Sequence, residues 1–107
     1  MNRGSVYWVN LEPALGAEIK KLRPGVLVGA SPINQARRTV LVVPLSTSGW
    51  ARPPLTVDVH CQGKEVRAVC DQVRAMDKSR LTAWIEQMSE ADLDKISQAL
   101  KQVLVLS

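Results

Sequence analysis

Three cationic side chains stand close together near the N-terminus, in a polar segment that spans residues 12–24. They are Lys20, Lys21 and Arg23, and Pro24 follows the last of them. Arginine carries a planar fork of donors that matches the oxygens of a phosphate group. A residue before proline is biased to extended backbone, so we expect Arg23 at a firmly held loop–strand junction. Lys20 and Lys21 fit phosphate contact and ordinary solvated surface equally well.

A second polar segment, residues 46–54, offers hydroxyl groups and an aromatic ring. Its chemistry-bearing residues are Ser46, Thr47, Ser48, Trp50 and Arg52. Hydroxyl groups can donate hydrogen bonds to phosphate, although at a strand end they often cap the backbone instead. Trp50 beside Arg52 suits stacking on a base, but its Gly and Pro-rich surroundings are more typical of a loop plug. Adjacent strands could bring the two segments together.

The residue inventory excludes several catalytic arrangements. His60 is the only histidine, so one subunit cannot hold a two-histidine acid/base pair. Cys61 and Cys70 lack metal-ligand spacing, and successive strand residues such as His60 and Cys61 point to opposite faces. Glycines are scattered singly and carboxylates show no cluster suited to two metals. We therefore expect no metal and no cofactor.

The positive charge is concentrated in the first half of the chain. The net charge is +4 over 107 residues. Residues 1–53 hold seven Lys/Arg and two Asp/Glu, a net charge of +5. Residues 54–107 hold seven Lys/Arg and eight Asp/Glu, a net charge of −1. This asymmetry is typical of a face that binds a polyanion, although ordinary surface lysines and arginines give the same composition.

Length and composition predict one domain over residues 1–107. No apolar run reaches the ~20 residues of a membrane span, and residues 1–5 lack the apolar region of a signal peptide, which predicts a cytoplasmic protein. In that reducing compartment, Cys61 and Cys70 are expected as free thiols rather than as a pair. Because Phe is absent, the core is expected to rest on Val, Leu, Ile and the three Trp, although Trp8 and Trp84 also suit packing at a dimer interface.

The first 70 residues predict short strands separated by turns. The predicted strands are Val6–Leu11, Gly25–Ala30, Thr39–Leu45, Leu55–His60 and Glu65–Cys70, the last two forming a hairpin. Five such strands with regular turn signals indicate a small, strongly curved sheet or barrel.

The C-terminal quarter changes to helical periodicity. Ser89 lies three residues before Asp92, as in a capping motif, and an apolar stripe follows at helical spacing: Leu93, Ile96, Leu100, Val103 and Leu104. A shorter helical turn is expected from Asp77 and a brief strand over Thr82–Gln87. The predicted class is therefore α+β.

Four stretches resemble the MazF/PemK/Kid family of toxins, in order and over essentially the whole chain. They are the opening Arg3–Pro13, the loop Gly16–Pro24 ending in Arg-Pro, Val43–Ser46 (Val-Pro-Leu-Ser, where the family has Val-Pro-Leu-Thr), and Cys70–Asp77 (Asp-Gln-x-Arg-x-x-Asp). The resemblance implies a homodimer of SH3-like β-barrels, each of about five to seven strands with a C-terminal helix. It also implies a toxin of a type II toxin–antitoxin system, a metal-independent endoribonuclease that cleaves single-stranded RNA and is neutralised by an acidic antitoxin.

The resemblance also assigns roles to individual residues. The family's catalytic Arg and Thr fall on Arg23 and Ser46, and a contributing Asp falls on Asp71. Serine keeps the hydroxyl but loses the methyl that restricts its rotation, so Thr47 is an alternative partner for Arg23. Lys20, Lys21, Thr47 and Arg52 are then expected to bind RNA. The expected products carry 2′,3′-cyclic phosphate and 5′-hydroxyl ends.

Two other functions compete with this interpretation. The CcdB gyrase inhibitors resemble this fold, but they depend on a C-terminal Trp-Gly-Ile, whereas this chain finishes Val103–Ser107. A non-catalytic nucleic-acid-binding module would need only the basic half of the chain.

Overall fold

A computed structural model describes residues 1–11 and 22–107 of the chain. Seven strands and two α-helices follow one another within these residues. They are β1 (Ser5–Asn10), β2 (Leu22–Leu27), α1 (Ser31–Ala36), β3 (Thr39–Ser46), β4 (Thr56–Cys61), β5 (Lys64–Val69), β6 (Arg74–Asp77), β7 (Leu81–Gln87) and α2 (Glu90–Val103). Two single-turn 3-10 helices, Cys70–Gln72 and Lys78–Arg80, flank β6.

All the strand pairs are antiparallel, and they join the seven strands into one sheet. The order across it is β4-β5-β3-β2-β1-β7, with β6 also paired to β3. The sheet curls until its outer strands approach each other, since the backbone N–H of Gln62, next to β4, donates to Glu86 on β7 at 3.1 Å. The predicted class, a small SH3-like barrel with a C-terminal helix, is confirmed.

The β4–β5 hairpin shows how a short sequence signal sets the register. Gln62 and Gly63 connect the strands with φ of 55° and 75°. Two consecutive residues with positive φ match the twist of a two-residue hairpin turn, and glycine adopts that backbone without strain. The predicted hairpin is confirmed, and its register places Asp58 opposite Arg67.

Helix α2 forms where its capping signal predicts. The Ser89 hydroxyl accepts from the N–H of Asp92 at 3.2 Å, and the helix buries Leu93, Ile96 and Ala99 against the sheet. Asp92 also faces the sheet, where its carboxylate accepts from the N–H of His60 at 2.8 Å and lies 3.1 Å from Nδ1 of the same residue. Helix α2 is therefore tied to β4 by both packing and a buried carboxylate.

Buried side chains form two separate clusters against the curled sheet. The larger contains the buried residues of α2, and the smaller contains Val9, Leu27, Val40, Val42 and Met76. The expectation that tryptophan fills the core is wrong. Trp50 is 86% exposed and Trp84 59% exposed, and Trp8 is only partly buried. Aliphatic side chains provide the packing.

Three features differ from the sequence prediction. Strand β2 begins at Leu22 rather than Gly25 and ends at Leu27. Helix α1 and strand β6 were not predicted, because each is too short to show a periodic pattern.

Within the described residues, no helix is long and apolar enough to cross a membrane. Residues 12–21, which include the predicted RNA-binding Lys20 and Lys21, lie outside the described residues.

Candidate active site

The ends of β2 and β3 define one end of the sheet. These strands pair with Gly25 opposite Pro44 and Leu27 opposite Val42. Continuing the same register beyond Gly25 sets Arg23 level with Ser46. Because β2 begins where β3 ends, the topology brings the last residues of segment 12–24 beside the first residues of segment 46–54. Arg23 is exposed on β2, where it pairs with Val9 of β1.

A groove of about 410 Å³ opens at the end of β3. Its walls come from β3, the 47–55 loop, β5 and the 3-10 helix that follows β5. The lining residues are Ser46, Ser48, Gly49, Trp50, Arg52, Leu55, Thr56, Arg67, Val69, Asp71 and Gln72. Three predicted site residues, Ser46 and Arg52 from one segment and Asp71 from another, therefore share one cavity.

Ser46 is the last residue of β3, and its hydroxyl is already positioned by the chain that follows. The N–H of Ser48 donates to Ser46 Oγ at 3.2 Å, and the two serine hydroxyls lie 3.0 Å apart. The Ser46 hydroxyl proton is free to turn toward the groove when Ser48 donates to it. Thr47 is exposed between them and does not line the groove.

Arg67 was missed by the sequence reasoning. It lies opposite Ser46 in the β3–β5 ladder, and its side chain is only 16% exposed. Its guanidinium contacts Asp58 at 3.3 Å and donates to the carbonyl of Thr47 at 3.2 Å, while its buried Nε has no hydrogen-bond acceptor among the described residues. Strand alternation could have indicated it, because Val66 and Ala68 are buried and Arg67 points the other way.

Asp71 lies in the 3-10 helix after β5 and is exposed to the groove. Its neighbour Cys70 is fully buried, and the N–H groups of Cys70 and Asp71 both donate to the carbonyl of Leu55, at 2.8 and 3.4 Å. Burial, and to a lesser degree the charge of Asp71, raises the pKa of the Cys70 thiol to about 11. That thiol is therefore protonated and inert beside the candidate carboxylate.

Two predicted site residues within the described part of the chain, Arg23 and Thr47, do not line the groove. Arg23 lies on β2, outside the groove lining, so a substrate would have to span from the groove to β2. Trp50 does line the groove, and its 86% exposure contradicts the expectation that it plugs its own loop. The described residues contain no group of three or more His, Cys, Asp or Glu side chains arranged to hold a metal ion.

Together the curled sheet, the C-terminal helix and the groove with its hydroxyls and guanidinium groups define a small α+β protein built to engage an anionic ligand. The profile of the family described as PemK-like, MazF-like toxins of type II toxin–antitoxin systems matches residues 2–104. The chain belongs to this family.

Named endoribonucleases and solved MazF structures match nearly the whole chain. Endoribonuclease EndoA of Bacillus subtilis is 30% identical to this chain, and the match covers 99% of this chain and 96% of EndoA. Endoribonuclease MazF9 of Mycobacterium tuberculosis is 31% identical, and the match covers 94% of this chain and 93% of MazF9. A MazE–MazF structure from Deinococcus radiodurans has a TM-score of 0.86 at 20% identity, covering 100% of this chain and 97% of that one. A mycobacterial endoribonuclease in complex with its cognate antitoxin has a TM-score of 0.83 at 23% identity, with the same coverage.

Proposed function

We propose that this chain, as one toxin domain over residues 1–107, is an endoribonuclease that cleaves single-stranded RNA in the cytoplasm without a metal ion. Membership in the toxin family and the endoribonucleases among its relatives support the activity. One observation carries the assignment of the site: Ser46 and Asp71 line a single groove, and the β2–β3 register, continued beyond Gly25, sets Arg23 level with Ser46.

The proposed reaction uses a nucleophile that the substrate supplies. The 2′-hydroxyl of RNA attacks the adjacent phosphorus, so a 2′-O–P bond forms and the P–O5′ bond breaks. Asp71 accepts the proton of the 2′-hydroxyl, and the departing 5′-oxygen takes a proton from Arg23. The proton on Asp71 then passes through water to Arg23, which restores the charge of both side chains. The products are a 2′,3′-cyclic phosphate and a 5′-hydroxyl.

Charge stabilisation is the main contribution of the protein in this scheme. Arg23 presents two parallel donors to the non-bridging oxygens as their negative charge grows, and Ser46 adds a hydroxyl donor. Arg52 at the groove, and Lys20 and Lys21 in the preceding segment, bind neighbouring phosphates. Thr47 is assigned to RNA binding beside the groove, where its exposed hydroxyl remains the alternative to that of Ser46.

The test is cleavage of a defined RNA in the presence of EDTA. Wild-type protein is expected to give fragments with cyclic-phosphate ends, and Arg23→Ala and Arg23→Lys to lose on the order of 100-fold or more in rate, because a lysine cannot form the paired donors. Arg38→Ala is the matched control, since that side chain is 89% exposed and its ion pair is with Asp77. Unchanged cleavage by Arg23→Ala would overturn the assignment. Bound but intact RNA would indicate a non-catalytic module, and intact RNA with inhibited supercoiling a gyrase poison.

We also propose two partners for this chain. One is a second copy of itself, and exposed apolar side chains support it: Ile33 and Leu41 are 58% and 44% exposed beside a groove of about 510 Å³. The mass in solution at micromolar concentration tests this, with Leu41→Glu expected to give the monomer. The other partner is an acidic, partly disordered antitoxin segment, which would compete with RNA for Lys20, Lys21 and Arg23.

A further inference from the structure

Trp50 combines a fixed backbone with a free ring. Its carbonyl accepts from the hydroxyl of Thr56 at 3.3 Å, and the same hydroxyl accepts from the N–H of Arg52 at 2.7 Å. Arg52 and Thr56 also exchange two backbone hydrogen bonds of 3.1 Å. The loop on the C-terminal side of Trp50 is therefore anchored to the start of β4, while the indole is 86% exposed on the groove wall.

This arrangement suits a rigid contact platform. An indole has only two side-chain torsions, so immobilising it on binding costs little conformational entropy for the area that it buries. Since the backbone beside it is already hydrogen-bonded, few additional degrees of freedom are lost. The ring is thus available to a ligand at low cost rather than committed to the packing of the protein.

The neighbours of Trp50 indicate the chemistry of that ligand. The groove places the hydroxyls of Ser46 and Ser48 and the guanidinium of Arg52 beside the indole. Single-stranded nucleic acid alternates a negative phosphate with a flat base, and such strands bind where cationic groups alternate with aromatic platforms. A protein anchor would favour an apolar surround for the ring, whereas most residues that line this groove are polar.

We infer that Trp50 stacks on one unpaired base next to the scissile phosphate and thereby fixes which nucleotide lies over Ser46. The inference rests on the proposed ribonuclease function and extends it to a specific base-binding subsite. Loss of one base–aromatic stack corresponds to about a 5- to 150-fold weaker affinity.

A double-mutant cycle between protein and RNA tests the subsite. The cut site is first mapped on a mixed RNA pool. The probe is then an oligonucleotide that contains this site and carries a 2′-deoxy residue at the position of cleavage, so it binds without being cleaved. A series of such probes each lacks one base near that position. Trp50→Ala is expected to weaken binding of the intact probe. At one abasic position, removal of the base should weaken binding to wild type but cause no further loss of affinity in Trp50→Ala.

Trp50→Phe and Leu106→Ala complete the design. Phenylalanine keeps a stacking face, so Trp50→Phe should retain most of the affinity but lose the fluorescence quenching that RNA binding causes in wild type. Leu106 is also an exposed apolar residue, at 59%, but lies at the C-terminus, and its replacement should leave RNA affinity unchanged. An equal effect of every abasic position in wild type and Trp50→Ala would overturn the subsite. So would a Trp50→Ala effect on antitoxin binding alone. Failure of wild type to bind or cleave any RNA would instead refute the proposed function.

Discussion

Ser46 and Arg67 face each other across the β3–β5 ladder, and the Arg67 guanidinium reaches past this partner to the carbonyl of Thr47, 3.2 Å away. The contact to Asp58 at 3.3 Å holds the other side of the same guanidinium. Arg67 therefore connects β4, β5 and the segment that carries the candidate hydroxyl. It is a positioning residue for Ser46, because both of its terminal nitrogens are engaged by the protein.

Replacing Arg67 should lower kcat more than it changes KM. In Arg67→Ala the Thr47 carbonyl loses its charged donor, and a roughly tenfold or larger fall in kcat is expected from the loss of one such hydrogen bond. Arg67→Lys should recover part of the rate, since one donor position can still be filled. The measurement is steady-state RNA cleavage, with Lys64→Ala at the exposed start of β5 as control. A raised KM with an unchanged kcat would instead show that Arg67 contacts the RNA.

Substitutions at two adjacent positions identify the hydroxyl that works with Arg23. Ser46→Ala should reduce the cleavage rate on the order of 100-fold, as for removal of one charge-stabilising donor. Ser46→Thr should retain activity, because the hydroxyl remains and the methyl restricts its rotation. Thr47→Ala should have a small effect. The reverse ranking of Ser46→Ala and Thr47→Ala in single-turnover cleavage would assign the role to Thr47.

Asp92 should contribute strongly to stability. Its side chain is 7% exposed and bonded to His60, so Asp92→Ala leaves the His60 N–H without its acceptor. We expect a loss of about 1.5–3 kcal/mol in the free energy of unfolding. Asp94→Ala on the same helix is the control, since Asp94 is exposed and should change stability by less than about 0.5 kcal/mol. Urea unfolding followed by circular dichroism measures both; equal effects would contradict a structural role for Asp92.

The thiols should resist alkylation in the folded protein. Burial raises the pKa of Cys61, with a smaller contribution from Glu86, and raises that of Cys70 from 9.0 to about 11. Since the thiolate is the reactive form, iodoacetamide should react slowly at pH 8 and faster as the pH approaches 11. The same shift affects stability. Because the pKa of Cys70 is higher in the folded than in the unfolded protein, it stabilises the fold below pH 9, and this contribution is lost as the pH rises toward 11.

The thiol measurement is best made one cysteine at a time. Cys61→Ser leaves Cys70 as the single reporter, and the protein in urea gives the rate for an accessible thiol. Rapid modification of native Cys61→Ser at pH 8 would show that Cys70 is not buried in solution.

Local signals explain which elements could be predicted. Helix α2 carries its cap and its apolar stripe within the element itself, so its start at Glu90 follows from sequence. Helix α1 has a start signal in Pro32, but its single buried residue, Asn34, gives no stripe. The sequence places the start of strand β2 too late, because Pro24 is typical of a strand boundary. Its first residues pair with β1 alone, where a proline is tolerated more readily.

The candidate site was predictable in part, for the same reason. Ser46 and Asp71 stand in recognisable motifs, and their shared groove follows from β3 pairing with β5. Arg67 lies outside every motif, and its role depends on contacts to Asp58 and Thr47, which are 9 and 20 residues away in sequence. Such long-range contacts follow only from the register of three strands.

Strand β3 pairs with β2 along one edge and with β6 and then β5 along the other. Ser46 ends this strand, whereas Trp50 and Arg52 belong to the loop beyond it. The group proposed to act on the phosphate and the groups proposed to select the RNA are thus separately supported. Changes of length or composition in residues 49–55 of the loop would alter the chosen nucleotides, while Ser48 and the Thr47 carbonyl keep the reactive hydroxyl in its place. Such a division allows RNA preference to diverge within a lineage at constant chemistry.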